Sequence, residues 1–210
     1  MKLVLTRPLL GLILRWTQRV LFAIGISLLS YFTFVLTDAW LFQKEESRRL
    51  ERLLHERQEA RNGPPAAATP ALPDASLAAA ADGLLGRIEI PRLELSLVVV
   101  EGVSKADLRR AVGHIPGTSQ PGQPGNVGIA GHRDTFFRPL RNIRLNDIIT
   151  LTTLRGEYRY RVVSTKVVKP TDVEVLDPDG NQILTLVTCY PFNYVGAAPF
   201  RFIVRAERSI

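Results

Sequence analysis

Between Arg19 and Asp38 the chain runs for 18 residues, Val20 to Thr37, without a single charge. Leu, Phe and Ile dominate the run. A helix rises ~1.5 Å per residue, so such a segment spans nearly all of a ~30 Å hydrocarbon core. Ser27, Ser30, Thr33 and Thr37 fit there, because a helical hydroxyl bonds back to a carbonyl one turn earlier. The preceding residues 1–19 carry Lys2, Arg7, Arg15 and Arg19 and no acid. Positive-inside bias then places residues 1–19 in the cytoplasm and everything after Asp38 outside it. A cleaved signal peptide would have a shorter apolar region and a small-x-small site after it, whereas Asp38-Ala39-Trp40-Leu41 follows here. The expectation is a single-pass anchor in the cell membrane over residues 20–37, in contact with lipid, with Trp40 and Phe42 at the boundary.

The formal net charge is +7. More than half of that excess flanks the apolar run, which leaves residues 84–210 only mildly basic. No zinc-finger spacing or aromatic RNA-binding motif accompanies it, so no nucleic-acid partner is expected. Residues 38–83 read as a stalk and linker. Glu45/Arg49 and Arg52/Glu56 stand at i,i+4 spacing on a polar helix over residues 39–62. Leu50, Leu53 and Leu54 form a stripe too short for a coiled coil, so a solvated stalk is expected. Residues 63–83, rich in Ala and Pro, read as a tether.

From Leu84 onward, short β-rich runs alternate with Gly and Pro turns: Gly86–Ile90, Leu95–Val100, Asn126–Ala130, Ile148–Thr152, Tyr158–Val168, Ile183–Thr188 and Phe200–Ala206. Ser104–Val112 is the best short helix, with Ser104 as its N-cap. The density of strands over residues 84–210 predicts a mainly β, closed or nearly closed barrel with short helices.

Cys189 is the only cysteine, so no intramolecular disulfide forms. An isolated cysteine is often a small buried hydrophobe. This one, however, ends the apolar run Ile183–Thr188 and is followed by Tyr190-Pro191, which should stop the strand and leave the thiol beside a loop. A thiol nucleophile needs a proton-transfer partner and a group to stabilise an oxyanion. The domain offers two histidines, His114 and His132. His132 follows the apolar run and Gly131, where the backbone can approach closely, and is preferred; His114 reads as a turn-entry residue. Arg201 opens the last strand, and its fixed charge and several donors suit a polarised carbonyl. A loop histidine and a solvated sheet-edge arginine are the bland readings of the same residues.

Thr185-Leu186-Val187-Thr188-Cys189 matches the Thr-Leu-x-Thr-Cys signature of sortases. Gly131-His132-Arg133 resembles their histidine segment, and Arg201 falls where their arginine follows the cysteine. Thr185 to Ala206 is most similar to class D sortases. The resemblance covers residues 84–210 and implies an eight-stranded barrel and a cysteine transpeptidase. It implies exported proteins with a C-terminal LPXTG-like sorting motif as substrates. The acceptor would be an amine on a cell-wall precursor or another protein. By the same resemblance Cys189 is the nucleophile, His132 the acid and base, Arg201 the oxyanion holder and Thr188 a substrate-contacting residue. No cofactor is required. Calcium assists some sortases, and Asp172, Glu174, Asp177 and Asp179 form an acidic loop, although a solvated loop is the plainer reading. Two alternatives stay open at this point. The motif of L,D-transpeptidases, a histidine shortly before Ser-x-Gly-Cys, is missing. A non-catalytic envelope-binding barrel would leave Cys189 buried and inert.

Overall fold

The computed structural model describes residues 7–62, 83–178 and 180–209. The tether read at 63–83 therefore falls outside the described residues up to position 82, as do Lys2 and Asp179. Two compact units divide the chain, Met1–Leu41 and Phe42–Ile210.

The first unit is helical, the leading part of α1 (Arg7–Asn62). Its apolar side chains, among them Leu21, Phe22, Leu29, Phe32 and Phe34, are exposed. Among the described residues α1 is the one helix long and apolar enough to cross a membrane. Thr33 and Thr37 donate to the carbonyls of Leu29 and Thr33, each at 2.8 Å, so these two hydroxyls are paired within the helix.

In the second unit, eight strands close into a barrel: β1 (Leu84–Ile90), β2 (Leu95–Glu101), β3 (Val112–His114), β4 (Gly125–Ala130), β5 (Ile148–Thr153), β6 (Gly156–Val168), β7 (Gln182–Tyr190) and β8 (Phe200–Arg208). Their order is β1-β2-β3-β4-β7-β8-β6-β5, and β5 returns to β1. Closure pairs every strand with a neighbour on each side, though short β3 covers only Val99–Glu101 of β2 and Ile129–Ala130 of β4. Alternate residues point inward, so Ile88, Ile90, Val127, Ile129, Ile149, Leu151, Leu184, Leu186 and Val204 fill the interior. The parallel pair β4–β7 is nearly continuous in buried residues, because its outer face is also covered near its start.

The sequence reading missed β3. Three residues are too few for a periodicity, and the expected helix ran through Val112 into it. Instead α2 (Lys105–Arg110) stops early. Its N-cap is the expected one: Ser104 accepts from the Asp107 amide while Asp107 accepts from the Ser104 amide. Ala111 and Val112 are fully buried, and that burial takes the chain into the barrel between β2 and β4. Gly113 makes the fit possible, since a Cβ there would collide with the Gly102 carbonyl.

The solvated stalk expected over residues 39–62 needs correction within this unit. Leu50 is fully buried with Leu84, Val98 and Leu154, and Leu53 and Leu54 pack beside it. Gln43 donates to the Arg110 carbonyl and accepts from the Val98 amide, both at 2.8 Å. Glu51 pairs with Arg87 at 3.0 Å. The short leucine stripe is a docking face for the barrel.

Candidate active site

β4 and β7 run parallel and in step, from Gly125 beside Gln182 to Ala130 beside Val187. Beyond the last pair, the Gly131 amide donates to the Val187 carbonyl at 3.1 Å, and Thr188 donates its hydroxyl to the Gly131 carbonyl at 2.7 Å. His132 follows Gly131 directly, as Cys189 follows Thr188, so this bond joins the residues that precede them. On the other side β7 pairs antiparallel with β8, and Cys189 lies directly opposite Arg201. Opposed residues of an antiparallel pair project from one face with Cβ atoms ~5 Å apart. Leu184 and Leu186 point into the barrel, so alternation turns Cys189 outward, and Val204 inward turns Arg201 outward in the same way. Cys189 and Arg201 thus face outward together at the ends of two strands, and the segment carrying His132 is bonded to β7 one residue before Cys189.

Coverage along that wall changes in a useful direction. Near its start, Gly128 is packed under Thr118, Ile115 and Leu176, and Thr185 is fully buried. Farther on, Ala130, Val187 and Cys189 are each partly exposed, and His132 is exposed. A substrate therefore reaches the thiol from the open end. Gly131 has no room for a side chain, because a Cβ there would come within 2.7 Å of the Phe137 ring and 2.9 Å of Val112. Phe137, fully buried, fills the space beneath, and its amide donates to the His132 carbonyl at 3.0 Å. This is how the segment carrying His132 is held against the barrel.

The two histidines occupy unlike settings. His114 is 1% exposed; its Nδ1 lies 3.0 Å from both carboxylate oxygens of Glu101, and its Nε2 faces the Thr118 hydroxyl and the Ser119 carbonyl. Every ring nitrogen of His114 is engaged in holding the β3–β4 connection. His132, by contrast, is exposed. Arg201 donates to the carbonyl of Phe200 at 3.0 Å and more loosely to that of Ala198 at 3.4 Å. Thr188 is buried, with its hydroxyl committed to the Gly131 carbonyl, so it ties β7 to the histidine segment.

Arg133 was quoted in the motif but given no role by sequence. Its guanidinium is buried and donates to the carbonyls of Pro191, Tyr194 and Gly196, at 3.0, 2.6 and 3.1 Å. Only its adjacency to His132 hinted at this. The aromatic rings of Tyr190, Phe192 and Phe202 pack together at the root of the same loop, with centroids 5.3–6.2 Å apart.

Asp172 accepts from the Lys169 amide and the Thr171 hydroxyl, and among the described residues no three His, Cys, Asp or Glu side chains cluster to hold a metal.

A sortase domain profile matches residues 88–209, more than half of the chain, and the chain belongs to the sortase family. It is 38% identical to Sortase D of Bacillus subtilis over 124 residues, covering 59% of this chain and 63% of that protein. It is 33% identical to Sortase A of Listeria monocytogenes, over 51% and 50% of the two chains. The chain thus spans under two thirds of the length of these relatives. Among solved structures, sortase C1 of Streptococcus agalactiae aligns with a TM-score of 0.57 at 32% identity, covering 61% of this chain and 68% of that one. A Sortase D5 transpeptidase of Clostridium perfringens aligns with a TM-score of 0.57 at 25% identity, covering 77% and 99%. The family, the eight-stranded barrel and the likeness to class D agree with the sequence reading.

Proposed function

We propose that this chain is a cysteine transpeptidase that cuts a C-terminal LPXTG-like sorting motif and passes the protein to an amine. One observation supports the reading: Cys189 lies opposite Arg201 on β7 and β8, and the Thr188–Gly131 bond ties the residue before Cys189 to the residue before His132. The Cys189 thiolate attacks the carbonyl of the scissile bond. Arg201, opposite it, donates to the oxyanion that forms, in place of the loop carbonyls it now holds. His132 protonates the departing amine as the C–N bond breaks, leaving a thioester on Cys189. An incoming amine then loses its proton to His132 and takes the acyl group, freeing the thiolate. A cell-wall precursor or another protein supplies that amine, and water in its place gives hydrolysis. Thr188 serves by holding the strand end on which Cys189 sits.

The apolar helix, long enough to cross a membrane, supports a reaction carried out at the cell membrane. The basic flank orients it with residues 1–19 cytoplasmic and the barrel outside, where exported substrates emerge. Incubation with a sorting-motif peptide library, followed by mass spectrometry, should find a thioacyl adduct on Cys189. Cys189→Ala should keep the fold and lose turnover by about ten-thousand-fold or more. Retained turnover in that variant would sink the mechanism.

A further inference from the structure

Cys189 and Arg201 flank one connection, the β7–β8 loop over residues 191–199. A loop of that length without regular structure samples many conformations unless something holds it. Arg133 holds it from a third element. The guanidinium is 5% exposed, and a buried cation is stable only where its donors are met. Three loop carbonyls meet them, at Pro191, Tyr194 and Gly196. Asp134 accepts from Nε at 3.3 Å but is itself mostly exposed, so the backbone carbonyls are the main partners. The Tyr194 ring lies over the guanidinium at 5.7 Å, closing the arrangement from the loop's side. These partners span six residues, and no two of them are adjacent in sequence. A single planar fork is suited to that task, and an ammonium is not.

Arg201 donates to the Ala198 carbonyl at the loop's far end, and to that of Phe200 where β8 begins. The resting direction of the Arg201 guanidinium is therefore set by the loop, and the loop's course is set by Arg133. We propose that Arg133 is a positioning residue: by pinning residues 191–196 it fixes where Arg201 presents its donors relative to Cys189. The proposal rests on the transpeptidase reading above. It assigns Arg133 no contact with substrate.

Two measurements on the full chain test it. The first is hydrogen exchange, which needs no turnover. In Arg133→Gln, amides of residues 192–198 should exchange at least about tenfold faster than in wild type, with the barrel strands unchanged. The second compares two reactions of the same thiol. Alkylation of Cys189 by iodoacetamide needs neither the loop nor Arg201 and should stay within about twofold of wild type. Single-turnover acylation by a sorting-motif peptide, normalised to titrated thiols so that misfolded protein drops out, should fall about 10- to 100-fold. Arg133→Lys should lie between, since one ammonium reaches only part of the carbonyl set. Unchanged loop exchange overturns the pin. Faster exchange with unchanged acylation overturns the positioning role, and so does a parallel fall of acylation and alkylation, which marks general damage. A wild-type chain that is alkylated but never acylated overturns the transpeptidase reading instead, and loop exchange then decides the pin alone.

Discussion

The mouth of the barrel and the patch beneath Leu50 are held by opposite kinds of force. At the mouth, Thr188, Arg133 and Arg201 each donate to backbone carbonyls, and these directional bonds fix the loops while Cys189 and His132 stay reachable. At the patch, Leu50 packs with Leu84, Val98 and Leu154 and is itself fully buried. Apolar burial is non-directional and is strongest when the surface is sealed. A site that must admit a peptide cannot be sealed, so its order has to come from bonds that leave a face open. The contrast is between precision without closure and closure without chemistry.

Arg201→Lys strikes the first region hardest. An ammonium keeps the charge but loses the planar set of donors that, in the proposed reaction, holds the oxyanion. Turnover of a sorting-motif peptide should fall about 100-fold or more, as when one oxyanion donor is removed. The thermal midpoint should barely move. Near-normal kinetics would shift the role to another arginine, with Arg205, on the same face of β8, the first to examine.

Leu50→Ala strikes the second region. Truncating a fully buried leucine should cost about 2–4 kcal/mol of stability. Activity per folded molecule should be unchanged at low temperature, because no residue at the mouth touches the patch cluster. The same reasoning bears on a chain beginning at Leu84, which would leave Leu84, Val98 and Leu154 uncovered. It should unfold at lower denaturant than a chain beginning at Phe42. Equal stability of the two would mean that the leucine contact contributes nothing, and the contrast between the regions would fail.

Much of the candidate site was legible because its chemistry coincides with local signals. Cys189 stood at the end of an apolar run before a proline, His132 followed a second such run, and alternation set Arg201 apart from Phe202. Seven strands announced themselves through β-branched and aromatic runs. What stayed hidden was set by partners distant in sequence. β3 exists because Ala111 and Val112 are buried between two strands, which three residues cannot declare alone. The role of Leu50 depended on a barrel face that only the fold assembles. Arg133 looked like one more basic residue, since its partners are carbonyls, which have no sequence identity. His114 was ranked below His132 on placement, and its engagement with Glu101 and Thr118 supplies the physical ground.

The smallest predicted effect concerns a third place, where a charge rather than a leucine does the fastening. Asp147 is nearly buried and accepts from Arg92 Nε at 2.5 Å, from Arg92 Nη2 at 2.6 Å and from the Arg144 amide at 2.8 Å. Arg92 also donates to the Asn142 carbonyl, so the pair ties the turn after β1 to the segment before β5. The Arg92 guanidinium holds the Asp147 carboxyl below its ordinary range; burial opposes this but is outweighed. A carboxyl whose folded-state value is depressed adds stability that is complete above its unfolded value of ~3.9. That contribution is lost as pH falls through the lower, folded value. Asp147→Asn should therefore lower the thermal midpoint by a constant amount at neutral pH, and the gap from wild type should close as pH falls below about 4. A gap that persists undiminished to pH 3 would show that shape, and not the carboxylate's charge, fastens this turn. It would then belong with the Leu50 patch rather than with the polar bonds at the mouth.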